Sequence, residues 1–378
     1  MMTKKKIIVL HSTAGMGHKK AAMAIFDALK TKEADIEFEI IDLMEYAGKF
    51  YRFLYLNFYV FLMTRAKWLW GAMYYFSNNP IVDALTRGMR GILDVRGCGK
   101  LVDLLVEKNP DAIIATHFFL PNTAKIFKKN NKLVSKMFTV ITDYGPHSFW
   151  LSDYIDKFFV GSEFALKEVL KRGVPMEKLD VSGIPTGDEF RKDFDKDNLC
   201  KVYNLDKTKK TIFLMSGGFG VGPIEKILLS LNSCKASIQV ITVCGHNKDV
   251  YDDVELLKEK LEYPVILFGF TDKVAELMLV SDLMVSKAGG ISVTEALDSR
   301  LPMILFASMP GQETWNEHFL LGSGAAERAA KVEDIPVIAN RMLLSGEVYD
   351  SHKEAIEKIR RPYAAQRIVD VVLKEIGK

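Results

Sequence analysis

A chain of 378 residues is too long for one small domain and long enough for two cores with a ligand cleft between them. Apolar residues make up 48% and charged residues 26%, and a formal charge of +3 is too small to argue for nucleic acid, which is not expected as a partner, and confines any basic patch to a local stretch. The four cysteines, Cys98, Cys200, Cys234 and Cys244, stand far apart, which excludes a disulfide framework and a structural zinc site and fits a reducing cytoplasm.

The N-terminus MMTKKKIIVLHST starts basic, but its apolar run ends after four residues, too short for a secretory core. Ile7–Leu10 therefore reads as a first buried strand. Behind it, Ala22, Ile25, Phe26 and Leu29 recur at helical spacing and leave Lys19, Lys20 and Asp27 off the buried face. Further strands are predicted at Phe38–Ile41, Ala112–Ala115 and Phe138–Ile141. Arg191–Lys210, rich in charge and poor in apolar period, reads as a linker, with the domains set at 1–195 and 196–360. The second half then alternates helical patterns with strands at Ile212–Met215, Ile238–Val243, Val265–Phe268, Leu283–Val285 and Ile304–Phe306. This is the α/β class with parallel sheets. The final helical pattern is interrupted by Pro362, and the kink is expected to return residues 361–378 to the first domain.

Between Tyr46 and Phe76 lie thirteen aromatics and four basic residues, Lys49, Arg52, Arg65 and Lys67, with no acid. Its mostly apolar part, Phe53–Met63, is about half of the roughly 20 residues that a spanning helix requires. The segment reads as lying on an anionic bilayer, with Phe53, Tyr55, Phe58, Trp68 and Trp70 in the headgroup zone and the cations facing lipid phosphate. A core helix pair packed on the first sheet is the plainer alternative.

The turn after the first strand carries Gly15 and Gly17, two of the three glycines of a dinucleotide fingerprint, but Lys20 occupies the third position. Asp42, after the second strand, stands where a ribose acid would. No G-K-[ST] follows any glycine run, so a Walker loop is excluded. There remains a tight turn at a helix start with His18 at its mouth, which serves either structure alone or an anionic ligand. In the second half FLMSGGFGVGP brings Gly217, Gly218, Gly220 and Gly222 off a strand, with amides suited to cradle an anion. DLMVSKAGGISVTEAL then passes Lys287, turns through Gly289 and Gly290, and enters a helix with Ser292 and Thr294 on its first turn. Glu295 is placed for a ribose diol, and a capping carboxylate is its plain alternative. A later loop offers Gln312, Glu313 and Asn316. The order of these motifs at successive strand ends points to a nucleotide-diphosphate site.

The segments GMGHKKAAMAI, VITDYGPHSFW, FVGSEFA, VSGIPTGDEF, MSGGFGVG, GFTDKVAELM, SKAGGISVTEAL and PGQETWNEHFL together resemble glycosyltransferase family 28. Within it they are most similar to the branch of plant monogalactosyldiacylglycerol synthases and bacterial processive diacylglycerol glucosyltransferases. The resemblance implies a GT-B fold, two facing Rossmann-like domains with parallel sheets and an intervening cleft. It implies a lipid acceptor on the first domain, a UDP-sugar on the second, and an inverting, metal-independent transfer giving a β-linkage. Ala288 departs from it, where relatives often carry proline.

On this reading His18 is the first candidate base and Asp143 the second, the latter pairing with His18 or His147 or acting directly. Gly15, Gly17, His117, His147 and Trp150 are expected near the acceptor. Gly217, Gly218, Gly220, Lys287, Gly289, Gly290, Ser292, Glu295, Gln312, Glu313 and Asn316 are expected to hold the donor. No metal or cofactor is expected, because the Asp-x-Asp string Asp193, Asp195 and Asp197 falls in the charged linker and reads as solvated. The expected activity is hexosyl transfer, glucose before galactose, to diacylglycerol at the cytoplasmic face of the cell membrane. Transfer to a polyprenyl-linked acceptor, UDP-sugar epimerisation and a sensor without turnover are the alternatives. A sensor would keep Glu295 and the glycine loops but could dispense with His18 and Asp143.

Overall fold

The structure, a computed structural model, describes residues 4–377 apart from 14, 33–35, 59–60, 63–64, 130–131, 219 and 221. The chain divides into unit 1, Met1–Gly187 with Pro310–Gln312 and Arg361–Lys378, and unit 2, Asp188–Met309 with Glu313–Arg360.

Unit 1 is built on six parallel strands, β1 Lys5–His11, β2 Ile36–Asp42, β3 Ala112–Ala115, β4 Lys136–Val140, β5 Lys157–Val160 and β6 Leu179–Val181, in the order β2-β1-β3-β4-β5-β6. Ile7–Leu10 is buried throughout, as a strand covered on both faces by helices must be. One face is covered by α1, Met16–Lys30, which buries Ala22, Ile25 and Leu29 beside Ile368, Val369 and Val372 of the closing helix Ala364–Glu375. Phe26 is only partly buried and meets Phe38 edge-on at 5.2 Å. On the other side α2 Lys67–Ser77 lies beside α3 Pro80–Gly97, which packs on α4 Phe119–Lys129, and α4 together with Gly99–Lys108 covers the sheet. Helices α3 and α4 cross closely at Gly91, where a Cβ would lie 2.5 Å from the Asn122 carbonyl oxygen.

Unit 2 holds β7 Lys210–Met215, β8 Ile238–Val243, β9 Val265–Phe268, β10 Leu283–Ser286, β11 Met303–Leu305 and β12 Ala326–Arg328, all parallel, in the order β12-β11-β10-β7-β8-β9. Both sheets reverse strand order once, between β1 and β3 and between β7 and β10. Such switch points open a crevice at the carboxyl ends of the strands.

Three strands escape the sequence pattern, β5, β6 and β12. They have three or four residues each, and the edge strands β6 and β12 carry Asp180, Glu327 and Arg328. The expected linker is ordered structure of unit 2. Asp195 accepts a hydrogen bond from Asn198 N at 3.0 Å and starts the helix α5 Lys196–Val202, which buries Leu199 and Cys200. Asp188–Arg191 joins unit 2 through a buried pair between Arg191 and Asp298 at 3.0 Å. The last two helices, Gly346–Ile359 and Ala364–Glu375, are parted around Pro362, and the second belongs to unit 1. Among the described residues no helix is long and apolar enough to cross a membrane.

Candidate functional site

In unit 1 the loops after β1, β3 and β4 converge on His18. Gly15 is the extended N-cap residue of α1, and a Cβ there would press on His18 Cδ2 at 3.1 Å, so glycine lets the imidazole fold back over the turn. Gly17 and His18 are the second and third residues of the helix. Thr116 Oγ1 donates to the His18 carbonyl at 2.8 Å, and Thr142 Oγ1 lies 3.2 Å from His18 Nδ1. The His117 ring stands edge-on to His18 at 5.1 Å, and the Trp150 ring lies tilted to it at 5.8 Å. His117 Nδ1 accepts from Phe119 N at 3.2 Å, which leaves the proton of the neutral ring on Nε2. Burial pushes His18 down to about 4 and His117 well below the usual histidine range, the second assisted by its neighbours His18 and His11. Both rings are therefore neutral at pH 7.

Asp143 sits half-buried in the loop after β4. His147, in the same loop, braces the structure. Its Nδ1 accepts from Phe149 N at 3.1 Å, and its Nε2 lies 3.2 Å from both the Tyr74 carbonyl and Ser77 Oγ. It thereby fixes the short turn Ser148–Trp150 and the end of α2, and burial lowers it to about 4 as well.

The aromatic segment divides between core and surface. Tyr55 points inward, stacked on Tyr51 at 4.5 Å and 6.2 Å from His117, so it packs against the His117 ring instead of facing outward. Trp70 is half-buried beside Tyr74. Phe53, Phe58 and Trp68 are exposed, as are Lys49, Arg65, Lys67 and Arg52, whose guanidinium also donates to the Met44 carbonyl. Tyr59, Val60 and Met63 of the expected apolar run lie outside the described residues.

One lipid-facing candidate escaped the sequence reading. Helix α3 turns Ile81, Leu85, Met89, Ile92 and Leu93 outward, each 48 to 79% exposed, and turns Asp83 and Asp94 inward at 2 and 3%. Asp83 holds Arg87 and Arg90, while Asp94 accepts from Tyr51 Oη at 2.7 Å and Asn122 Nδ2 at 3.0 Å. The period of this helix is legible in the sequence. Its inside-out orientation is not, because the partners that satisfy its acids lie elsewhere in the chain.

In unit 2 the expected glycines have different tasks. At Gly220 (φ +58) a Cβ would lie 2.1 Å from the Cys244 carbonyl, and Asn247 Nδ2 donates to the Gly220 carbonyl at 3.2 Å, so this glycine lets two loops pack backbone to backbone. Gly218 accepts from His246 N at 3.0 Å. At Gly217 (φ +73) and Gly289 a Cβ would meet nothing within 4 Å, which leaves their backbones open to a ligand. Phe219 and Val221 of the same loop lie outside the described residues. Gly289 is the N-cap of α6, Gly290–Asp298, and no side chain caps that helix. Its first amides are available to an anion.

A shallow depression at the ends of β7, β10 and β11 is lined by Met215, Ser216, Pro223, Ser286, Lys287 and Ala307. Ala307 is strained into the left-handed region (φ +56), a feature concentrated at functional sites. Ser292 is half-buried on the first turn of α6 and Glu295 is 1% exposed on its second. Gln312 opens α7, Gln312–Ser323, and groups with unit 1. Glu313 accepts from Met309 N at 2.6 Å, and the wholly buried Asn316 donates to the Ala288 carbonyl at 2.9 Å. These two hold the loops beside Lys287 in place. Sequence reading also missed His246 and Phe270, exposed rings stacked at 4.2 Å and 13° after β8 and β9. Asp195 is the helix cap described above, and Asp197 pairs with Lys207 at 2.6 Å. Among the described residues no group of three His, Cys, Asp or Glu is placed to hold a metal ion.

Comparison with known proteins adds family to geometry. The profile described as monogalactosyldiacylglycerol (MGDG) synthase matches residues 18–186, and that of the glycosyltransferase family 28 C-terminal domain matches 211–318. The processive diacylglycerol beta-glucosyltransferase of Bacillus pumilus is 27% identical over 376 residues, covering 99% of this chain and 96% of the relative. That of Bacillus cereus is 28% identical over 380 residues, covering 99% and 95%. Among solved structures, S. aureus MnaA with UDP superposes with a TM-score of 0.65 at 14% identity, covering 98% of this chain and 97% of that one. Acinetobacter baumannii MurG gives 0.63 at 12%, covering 98% and 99%. The two structures share the fold.

Proposed function

Because the chain belongs to glycosyltransferase family 28, in the monogalactosyldiacylglycerol synthase and processive diacylglycerol glucosyltransferase branch, we propose that it moves glucose from UDP-glucose to the hydroxyl of diacylglycerol, with inversion to a β-glycoside. It is a UDP-sugar glycosyltransferase of GT-B fold in glycolipid synthesis. The observation that carries the reading is a paired one. A neutral, part-exposed histidine stands at the switch point of one sheet, and an uncapped helix start with open glycines stands at the switch point of the other.

UDP binds unit 2. Its diphosphate lies on the amides beyond Gly217 and Gly289 and at the start of α6, with Lys287 adding charge. The base stacks on the His246–Phe270 platform, and the ribose diol reaches Glu295. In unit 1, Thr142 Oγ1 accepts from His18 Nδ1–H, which leaves Nε2 as the lone pair that takes the proton of the acceptor hydroxyl. The acceptor oxygen bonds to the anomeric carbon as the bond to the diphosphate breaks, and the electron pair departs with UDP. Backbone amides and the helix end stabilise that charge, so no metal is required.

The acceptor is a lipid, and α3 with the exposed rings of the aromatic segment forms the surface that meets it. Five apolar side chains of α3 face outward, and Lys49, Arg65 and Lys67 supply cations for an anionic bilayer, each worth about 1 kcal/mol near such a surface. The protein then works as a peripheral enzyme on the inner face of the cell membrane. UDP-sugar epimerases share the fold, so the family match, not the fold, favours transfer.

His18→Ala tests the scheme. UDP affinity, read by calorimetry, stays at the wild-type value while turnover drops about 10²–10⁴-fold, the usual size of a lost general base. Wild-type turnover in this variant would move the proton-accepting role to Asp143.

A further inference from the structure

Buried polar atoms without a hydrogen-bond partner among the described residues include Thr139 and Thr242 hydroxyls inside β4 and β8, Arg90 Nε in its cluster with Asp83, and the Tyr74 hydroxyl. Tyr74 differs from the others in its surroundings. Its side chain is 6% exposed on α2, and its ring is wedged between His147, at 4.6 Å, and the backbone of Gly311, where a Cβ would lie 2.7 Å from Tyr74 Cγ. The ring cannot swing away without unpacking that loop, so the direction of the O–H is fixed. Burial, and next the Asp143 carboxylate, which lies within electrostatic reach, hold the phenol protonated far above the usual range. A buried hydroxyl left without a partner is a cost that native cores rarely carry without a use.

We propose that Tyr74 is the positioning residue for Asp143, its O–H donating to the Asp143 carboxylate when acceptor is bound and fixing that carboxylate beside the acceptor hydroxyl. The proposal rests on the transferase reading above. It assigns a task to a residue of the aromatic segment that faces neither lipid nor the sheet.

The test is Tyr74→Phe, which removes one oxygen and keeps the ring, combined with Asp143→Asn in a double-mutant cycle on the full chain. We expect Tyr74→Phe to keep or slightly raise the melting temperature and to leave the KM for UDP-sugar unchanged. Turnover falls roughly tenfold or more, the size of losing a hydrogen bond to a charged group. In the Asp143→Asn background the same change has no further effect. Wild-type turnover, a raised KM for UDP-sugar, an additive loss, or a loss that follows a drop in melting temperature overturns the assignment. If the wild type itself releases no UDP, the transferase reading falls and this falls with it; an additive cycle with an active wild type removes Tyr74 alone.

Discussion

His18 shows how burial sets the chemistry of one residue. Its ring, pushed down to about 4 by burial, is neutral throughout the physiological range, so a base at this position does not lose its lone pair near pH 6.5. We expect kcat/KM to hold its plateau down to about pH 5, with an acid limb near 4; a limb centred at 6.5 in a rate profile would show that His18 is solvated during turnover and would remove this part of the account. His147 bears on stability. The unfolded chain takes up a proton below about pH 6.5 but the folded ring only below about 4, so its contribution is intact above 6.5 and is lost as pH falls through that window. The loss is on the order of 3 kcal/mol, and melting temperatures measured from pH 7 to 4 should fall accordingly, with a shallower slope in His147→Gln. In unit 2, Glu295→Gln separates two tasks: a ribose ligand weakens UDP binding by about 1–3 kcal/mol, whereas a carboxylate that only braces α6 leaves calorimetric UDP affinity unchanged. The sequence marks His18, because a histidine after two glycines at a helix start is visible in one window. Thr142, its ring partner, arrives from another strand and was not legible.

At the scale of elements, α3 is the informative case. A helix of a water-soluble core turns its acids outward, but here Asp83 and Asp94 are sealed under Arg90, Tyr51 and Asn122 while the apolar stripe faces out. Replacing Leu85 and Ile92 by Asp should abolish flotation with anionic liposomes, since each loses the roughly 1.5–3 kcal/mol of burying a large apolar side chain, and should leave the melting temperature unchanged. Unaltered flotation would assign the stripe to another contact. The long buried strands β1, β7 and β8 were legible because runs of β-branched residues bounded by turns have few other readings. The edge strands β6 and β12 were not, since Asp180, Glu327 and Arg328 break their short apolar runs, and α5 was hidden by charges that turned out to cap and pair. In the loop after β7 the glycines were visible but their division was not: only the neighbouring loop at Cys244 shows Gly220 to be packing and Gly217 to be open.

For the whole molecule, alternating strands and helices predicted two parallel sheets, and each sheet presents its switch-point loops with the residues that the motif order had singled out. The boundary at Gly187/Asp188 and the placement of Arg361–Lys378 in unit 1 depend on long-range packing, such as Arg191 on Asp298, that no local window contains. The central claim is sugar transfer from UDP to a lipid hydroxyl, and the direct measurement is UDP release from UDP-glucose and UDP-galactose in EDTA, with and without anionic liposomes containing diacylglycerol. Release from UDP-glucose that requires diacylglycerol, with an equal amount of lipid-extractable β-glucoside, is the predicted result; a protein that binds UDP but releases none from either donor would contradict it.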